Sequence, residues 1–167
     1  AGVVVLNPTE ETHRALVRKL QRFREFEDRL VDIAGLTAET LDRKHIELSA
    51  NIEHVDEISF AREQGSAGIG LFRTESQLVG QAAYPAEDEQ YEAYRKVAES
   101  VYPNSVIFRA FDVGGDKLSP DTEHEANPFL GWRGIRVLLD RPEIFLDQLR
   151  GILRASTRKN VRIMFPM

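Results

Sequence analysis

Cysteine is absent from the 167 residues, so neither a disulfide framework nor a thiolate zinc site is available. Tryptophan occurs once and methionine twice. No apolar run approaches the roughly 18 residues of a membrane span, and no stretch has the order of a signal peptide. A cytoplasmic protein is the expectation. Positive charge is in short supply. Lys and Arg number 22 against 27 Asp and Glu, a net charge of -5. That argues against nucleic acid as a main partner, because backbone-phosphate binding wants a basic face. The histidines (His13, His45, His54, His124) are scattered, without the His-x-x-x-His spacing of a helical metal pair. No Gly-x-Ser-x-Gly elbow is present, which argues against a serine hydrolase. Asp121, Glu123 and Glu125 alternate in a loop, as a solvated acidic patch does. What remains is the composition of a globular domain, with 42% hydrophobic and 29% charged residues.

The apolar run Val3–Leu6 predicts a short strand. Asn7 as a cap, Pro8 in the first helical position and Glu10 three after the cap then predict a helix start. Leu16, Leu20, Phe23, Leu30 and Ile33 recur at helical spacing between charges, and Gly35 is a stop. That helix would span on the order of 39 Å at 1.5 Å per residue. Residues 1–40 are expected to form a linker arm and residues 41–167 the main domain. From Leu41 the rhythm changes. Alternation over Ile46–Ile52 predicts a strand, and Val55, Ile58 and Ala61 a short helix ending near Gly65. Gly68–Phe72 is a second strand. Glu87-Asp88-Glu89 supplies the acidic first turn of a helix that Pro103 ends. Val106–Phe111 is a third strand. Gly134–Leu139 and Pro142–Ala155 read as helical, and Val161–Phe165 as a fourth strand. Strand and helix alternate, which implies a parallel sheet with right-handed crossovers. A doubly wound sheet and a (β/α)₈ barrel both fit that pattern. Both chain ends read as cut. A parallel strand needs neighbours and cover on both faces, so the fold is expected to be incomplete.

Three clusters that could do chemistry follow predicted strands, where loops form the ligand face of α/β folds. In Gly68-Ile69-Gly70-Leu71-Phe72-Arg73-Thr74-Glu75, two glycines let the strand pack closely and Arg73 emerges at its end. A guanidinium is permanently charged and forks onto phosphate or carboxylate; a surface pair between Arg73 and Glu75 is the plainer alternative. In Arg109-Ala110-Phe111-Asp112-Val113-Gly114-Gly115-Asp116-Lys117, the Gly-Gly amides and Lys117 suit an anion. A tight turn with a solvated lysine fits equally, and Walker spacing is absent. In Asn127-Pro128-Phe129-Leu130-Gly131-Trp132-Arg133-Gly134, an arginine stands at a helix start, where free amides favour anions. The alternative is an aromatic loop anchor with Arg133 paired to an acid.

These clusters, in this order, resemble the phosphoenolpyruvate–protein phosphotransferases (enzyme I of the bacterial phosphotransferase system). Leu48-Ser49-Ala50-Asn51-Ile52, Gly68–Glu75, Asp112–Lys117 and Glu125–Arg133 match the family pattern. So do Asp147-Gln148-Leu149-Arg150-Gly151-Ile152-Leu153-Arg154-Ala155-Ser156 and the closing Arg162–Met167. The stretches Ser76–Gln81 and Leu118-Ser119-Pro120 depart from it.

The resemblance implies an α/β fold: a partial TIM (β/α)₈ barrel of about the first four β/α units, preceded by a long linker helix. It implies a parent enzyme, cytoplasmic and homodimeric, that moves the phosphoryl group of phosphoenolpyruvate to an enzyme histidine and on to the carrier HPr. Arg73 and Arg133 would hold the substrate phosphate, with Thr74, Glu75, Asp112, Lys117 and Asn127 in support. The Mg²⁺ ligands, the active-site cysteine and a further substrate arginine belong to the second half of the barrel, so no catalytic or metal-binding residue is assigned here. The phospho-histidine would lie upstream. On this reading the chain is inactive alone. Two alternatives stand beside it: a dikinase-type enzyme of the same superfamily, and a non-catalytic half barrel that binds a partner.

Overall fold

A computed structural model describes residues 2–79, 83–114 and 131–167. Contacts divide the chain into two units, Ala1–Ile46 and Glu47–Met167.

The first unit holds helix α1 (Glu10–Ala34). Its cap is Thr9, whose Oγ1 accepts from the Thr12 amide at 3.2 Å. Asn7 and Pro8, the expected cap and first helical residue, stand before it. Thr9 wins because its backbone is extended (φ -64°, ψ 158°), as a capping residue requires, whereas Asn7 has φ 48°. Glu10 and Glu11 place negative charge in the first turn, which the helix dipole favours. Gly35 closes the helix as expected, its amide donating to Ile33 O. The strand expected at Val3–Leu6 does not form among the described residues; Val3 and Val4 are exposed. An apolar run needs a neighbour to take its backbone hydrogen bonds, and among the described residues no strand pairs with this one.

The second unit is α/β. Strands β1 (Ala50–Ile52), β2 (Ile69–Arg73), β3 (Val106–Arg109) and β4 (Val161–Met164) pair in parallel, in sequence order. Helix α2 (Glu57–Glu63) joins β1 to β2, and α3 (Glu87–Val101) joins β2 to β3. Helices α4 (Ile135–Asp140) and α5 (Pro142–Ala155) precede β4, with Pro142 in the first turn of α5 as expected. Two strands are shorter than the alternation suggests, because their outer backbone groups bond elsewhere. Before β1, the Ile46 amide donates to Ala38 O. After β3, the Phe111 amide leaves the ladder for the side chain of Gln148 at 3.0 Å.

One apolar core joins a single face of the sheet to α2, α3 and α5. Phe108 lies at its centre, its ring 5.4 Å from Phe72 and 4.8 Å from Tyr94 between centroids. Burying each such side chain is worth about 1.5–3 kcal/mol. Close approach of β2 to its neighbour depends on Gly68, where a Cβ would meet Ser105 O at 2.7 Å. The register of β2 shifts between Ile69 and Phe72. Both residues are therefore buried although three positions apart, and the strand ends with Arg73 exposed at its tip.

The turn after β1 is fixed by a carboxylate. Glu57 Oε2 accepts from the amides of Glu53 and His54, both at 2.8 Å. These bonds favour the ionised form and hold its pKa below the ordinary 4.5. The stability they contribute is present above that ordinary value and is lost as pH falls through the lower folded value. Urea unfolding from pH 7 to pH 3 should show the acid-side loss of stability become shallower in Glu57→Gln than in the parent chain. Parallel curves would show that the contact carries no linkage.

Candidate functional site

Parallel pairing sets Arg73, the last residue of β2, opposite Arg109, the last residue of β3. Each cation is met by carboxylates from the adjoining loops. Arg73 Nη1 donates to Glu53 Oε1 at 2.6 Å, with both side chains 48% exposed. The surface pair expected between Arg73 and Glu75 is thus replaced by one to the turn after β1, where the bonds of Glu57 hold the Glu53 backbone. Glu75 points to the other strand: its Oε1 accepts from Arg109 Nη2 at 3.0 Å and from the Asp112 amide at 2.7 Å. Asp112 is shared in turn. Its Oδ2 lies 3.4 Å from Arg109 Nη1. Its Oδ1 accepts from Arg133 through Nη2 at 3.1 Å and Nε at 3.2 Å. The chain Glu75–Arg109–Asp112–Arg133 is only 15–22% exposed. Arg109 Nε is buried and has no hydrogen-bond partner among the described residues.

Arg133 reaches Asp112 through local backbone geometry. Gly114 and Arg133 form an isolated antiparallel bridge, and the Gly134 amide donates to Val113 O at 3.0 Å. That amide, expected to be free at a helix start, is therefore spent on the loop. Gly134 has φ +54°, and a Cβ there would sit 3.0 Å from Asp112 Oδ1; only glycine accepts both conditions cheaply. Trp132 anchors the same loop, its Nε1 donating to Asp140 Oδ2 at 2.6 Å.

The structure therefore brings Glu75, Asp112 and Arg133 into one ion-pair chain and places Arg73 beside it. Thr74 is fully buried, its hydroxyl donating to Arg109 O at 2.8 Å. Lys117 and Asn127 lie outside the described residues. Sequence reading missed Arg109 as a site residue, although it follows an apolar strand run just as Arg73 does. It also missed Glu53, for which no local spacing gives a signal. Among the described residues, no three His, Asp or Glu side chains group to hold a metal.

Residues 27–167 match the sequence profile of the PEP-utilising enzyme, PEP-binding domain. The chain belongs to this family. It is similar over its whole length to the phosphoenolpyruvate-protein phosphotransferase of Staphylococcus epidermidis, with 44% identity, and it covers 30% of that protein. The enzyme of the same name from Staphylococcus carnosus is 42% identical over 99% of this chain and 29% of its own length. For Bacillus subtilis the identity is 40%, over 99% of this chain and 30% of the relative. The chain thus spans about 30% of the length of these curated relatives.

In this PEP-binding domain the ion pairs differ in what they hold. An exposed pair such as Arg73–Glu53 is worth about 0–1 kcal/mol. Removing the shared Asp112 takes one carboxylate from each of two partly buried guanidinium groups, Arg109, which keeps Glu75, and Arg133, and loss of one partner of a fully buried pair costs about 3–5 kcal/mol. Chemical denaturation should find Asp112→Ala destabilised by about 2 kcal/mol or more and Glu53→Ala by less than about 1 kcal/mol. Equal losses would mean that the two acids carry the same load.

Proposed function

We propose that the second unit is the front half of a phosphoenolpyruvate-binding (β/α)₈ barrel. The parent enzyme moves the phosphoryl group of phosphoenolpyruvate to one of its own histidines and on to an HPr-type carrier. The observation that carries this reading is the placement of Arg73, Arg109 and Arg133 at the carboxyl ends of β2 and β3 and on the loop beyond. Ligands of α/β folds bind at that end of the strands. Phosphoenolpyruvate offers a phosphate and a carboxylate, and guanidinium groups fork onto both. In phosphoryl transfer the charge stays on the equatorial oxygens, so positioned cations are the main catalytic lever.

Strand order supports the barrel. A doubly wound sheet reverses direction at a switch point, whereas β1 to β4 advance without reversal, and α2, α3 and α5 share one core with a single sheet face. Residues 1–40 are read as the end of an upstream domain and a linker helix.

The ion pairs grade the arginines by availability. Arg73 is held by an exposed pair of small worth, so an anion exchanges with Glu53 at little cost. Arg109 and Arg133 are stiffer, and the orphaned Nε of Arg109 calls for an acceptor that the described residues do not supply. Glu53, Glu75 and Asp112 each pair with an arginine, and the family resemblance carries the Mg²⁺ ligands in the second half of the barrel. The metal ligands are assigned to sequence beyond this chain. Homodimer assembly and a cytoplasmic location rest on the family resemblance; among the described residues no helix is long and apolar enough to cross a membrane.

Calorimetric titration of the full-length protein with phosphoenolpyruvate should show Arg73→Ala and Arg133→Ala each weakening binding by at least about tenfold, the loss of one charge-assisted contact of about 1.5–3 kcal/mol. Wild-type affinity in both would remove the site assignment. Incubated alone with phosphoenolpyruvate, Mg²⁺ and an HPr-type carrier, this chain should yield no phosphorylated carrier on a mass spectrum. Product above a protein-free blank would place the catalytic groups within it.

A further inference from the structure

The run Asp147–Ser156 carries no ligand role in the reading above, yet it holds a fully buried polar side chain, Gln148. Helix α5 presents its amide to the ends of two strands. Oε1 accepts from the Phe111 amide at 3.0 Å. Nε2 donates to Thr74 Oγ1 and to Tyr94 OH, both at 3.1 Å. A backbone N–H can only donate, so the Phe111 contact fixes which end of the amide is oxygen. The NH₂ group must then face the two hydroxyls.

Those hydroxyls are committed as well. Thr74 donates to Arg109 O at 2.8 Å, and Tyr94 donates to Gln90 Oε1 at 2.9 Å. Gln90 is itself buried, and its Nε2 donates to Pro85 O at 2.8 Å. Burial pushes the Tyr94 hydroxyl pKa well up, which keeps its proton in place. Each hydrogen bond in this chain therefore runs in one direction, and every donor of Gln148 is spent. The contacts land on Thr74, between Arg73 and Glu75, and on Phe111, next to Asp112. Thr74 in turn holds the backbone of Arg109.

We propose that Gln148 is a positioning residue for the anion site: it clamps the ends of β2 and β3 at the spacing that lets Arg73 and Arg109 address one substrate. The proposal rests on the phosphoenolpyruvate reading. Gln148→Glu keeps the shape and reverses the logic, since a carboxylate cannot donate to two hydroxyls whose protons are already placed. Gln148→Leu removes the polar groups and strands the Phe111 amide. Thr74→Val breaks the relay one step on, and Thr74→Ser preserves it.

The test is steady-state transfer from phosphoenolpyruvate to an HPr-type carrier by the full-length protein, with a melting curve for each variant. Asn160→Ala is the control. Asn160 is a buried amide near the opposite, amino-terminal end of the sheet, donating to Ala98 O and Asn104 O at 3.0 Å each. Gln148→Glu, Gln148→Leu and Thr74→Val should lower kcat/KM for phosphoenolpyruvate by about tenfold or more, the scale of a misplaced binding group, with the carrier KM unchanged. Thr74→Ser should restore it, and Asn160→Ala should lose stability without that kinetic change. If the Gln148 variants do not fold, the Thr74 pair decides alone. Wild-type kcat/KM in folded Gln148 or Thr74→Val variants would overturn the positioning role while Arg73→Ala still loses binding. Wild-type binding in Arg73→Ala and Arg133→Ala as well would mean that the underlying reading has failed.

Discussion

Two permanent cations stand side by side where β2 and β3 end. Pairing puts Arg73 opposite Arg109, and neither guanidinium can shed its charge. A parallel sheet cannot move them apart without breaking its register. The neighbouring loops supply the compensation: Glu53 from the turn after β1, Glu75 from the turn after β2, and Asp112 from the loop after β3. Arg133 then attaches to the far side of Asp112. Three loops that are distant in sequence are drawn together because charge at two strand tips must be balanced. An anionic ligand is the other way to balance it.

The pairing is uneven. Exposure leaves Arg73–Glu53 weak and easily exchanged, while the chain through Arg109, Asp112 and Arg133 is partly buried and resists change. A site made only of strong pairs would bind its own acids in preference to a substrate. One made only of weak pairs would not hold its shape when empty. Here one labile cation sits beside two that are fixed, so the geometry persists and one guanidinium is free to trade partners.

Much of this was legible in the sequence, and the parts that were not have a common cause. The α/β alternation, the helices at Glu87–Val101 and Pro142–Ala155, and the positions of Arg73 and Arg133 follow from periodicity, strand-end placement and motif. These are local signals. The cap of α1 fell two residues from its expected place because capping depends on backbone angles as well as residue type. The end of β3 was misjudged by two residues because the Phe111 amide is claimed by Gln148, far along the chain. Glu53 as the partner of Arg73, and Arg109 as a bridge, depend on strand register, which no single run of residues encodes. Lys117 and Asn127 fall outside the described residues.

Gln148 marks the same limit from the other side. Read as sequence, it is one polar position on an amphipathic helix, and a polar residue there suggests an outward-facing side chain. It faces inward because the strand ends hold polar groups that the ladder cannot satisfy: the Phe111 amide, the Arg109 carbonyl and the Thr74 hydroxyl. Left bare and buried, each would cost about 1–3 kcal/mol. An amide is suited to that place because it both accepts and donates. The buried polar chain and the charged chain meet at the same few backbone positions, 74–75 and 109–112. The first is dry and directional and the second is charged and partly wet, so the rigidity of one can be lent to the other.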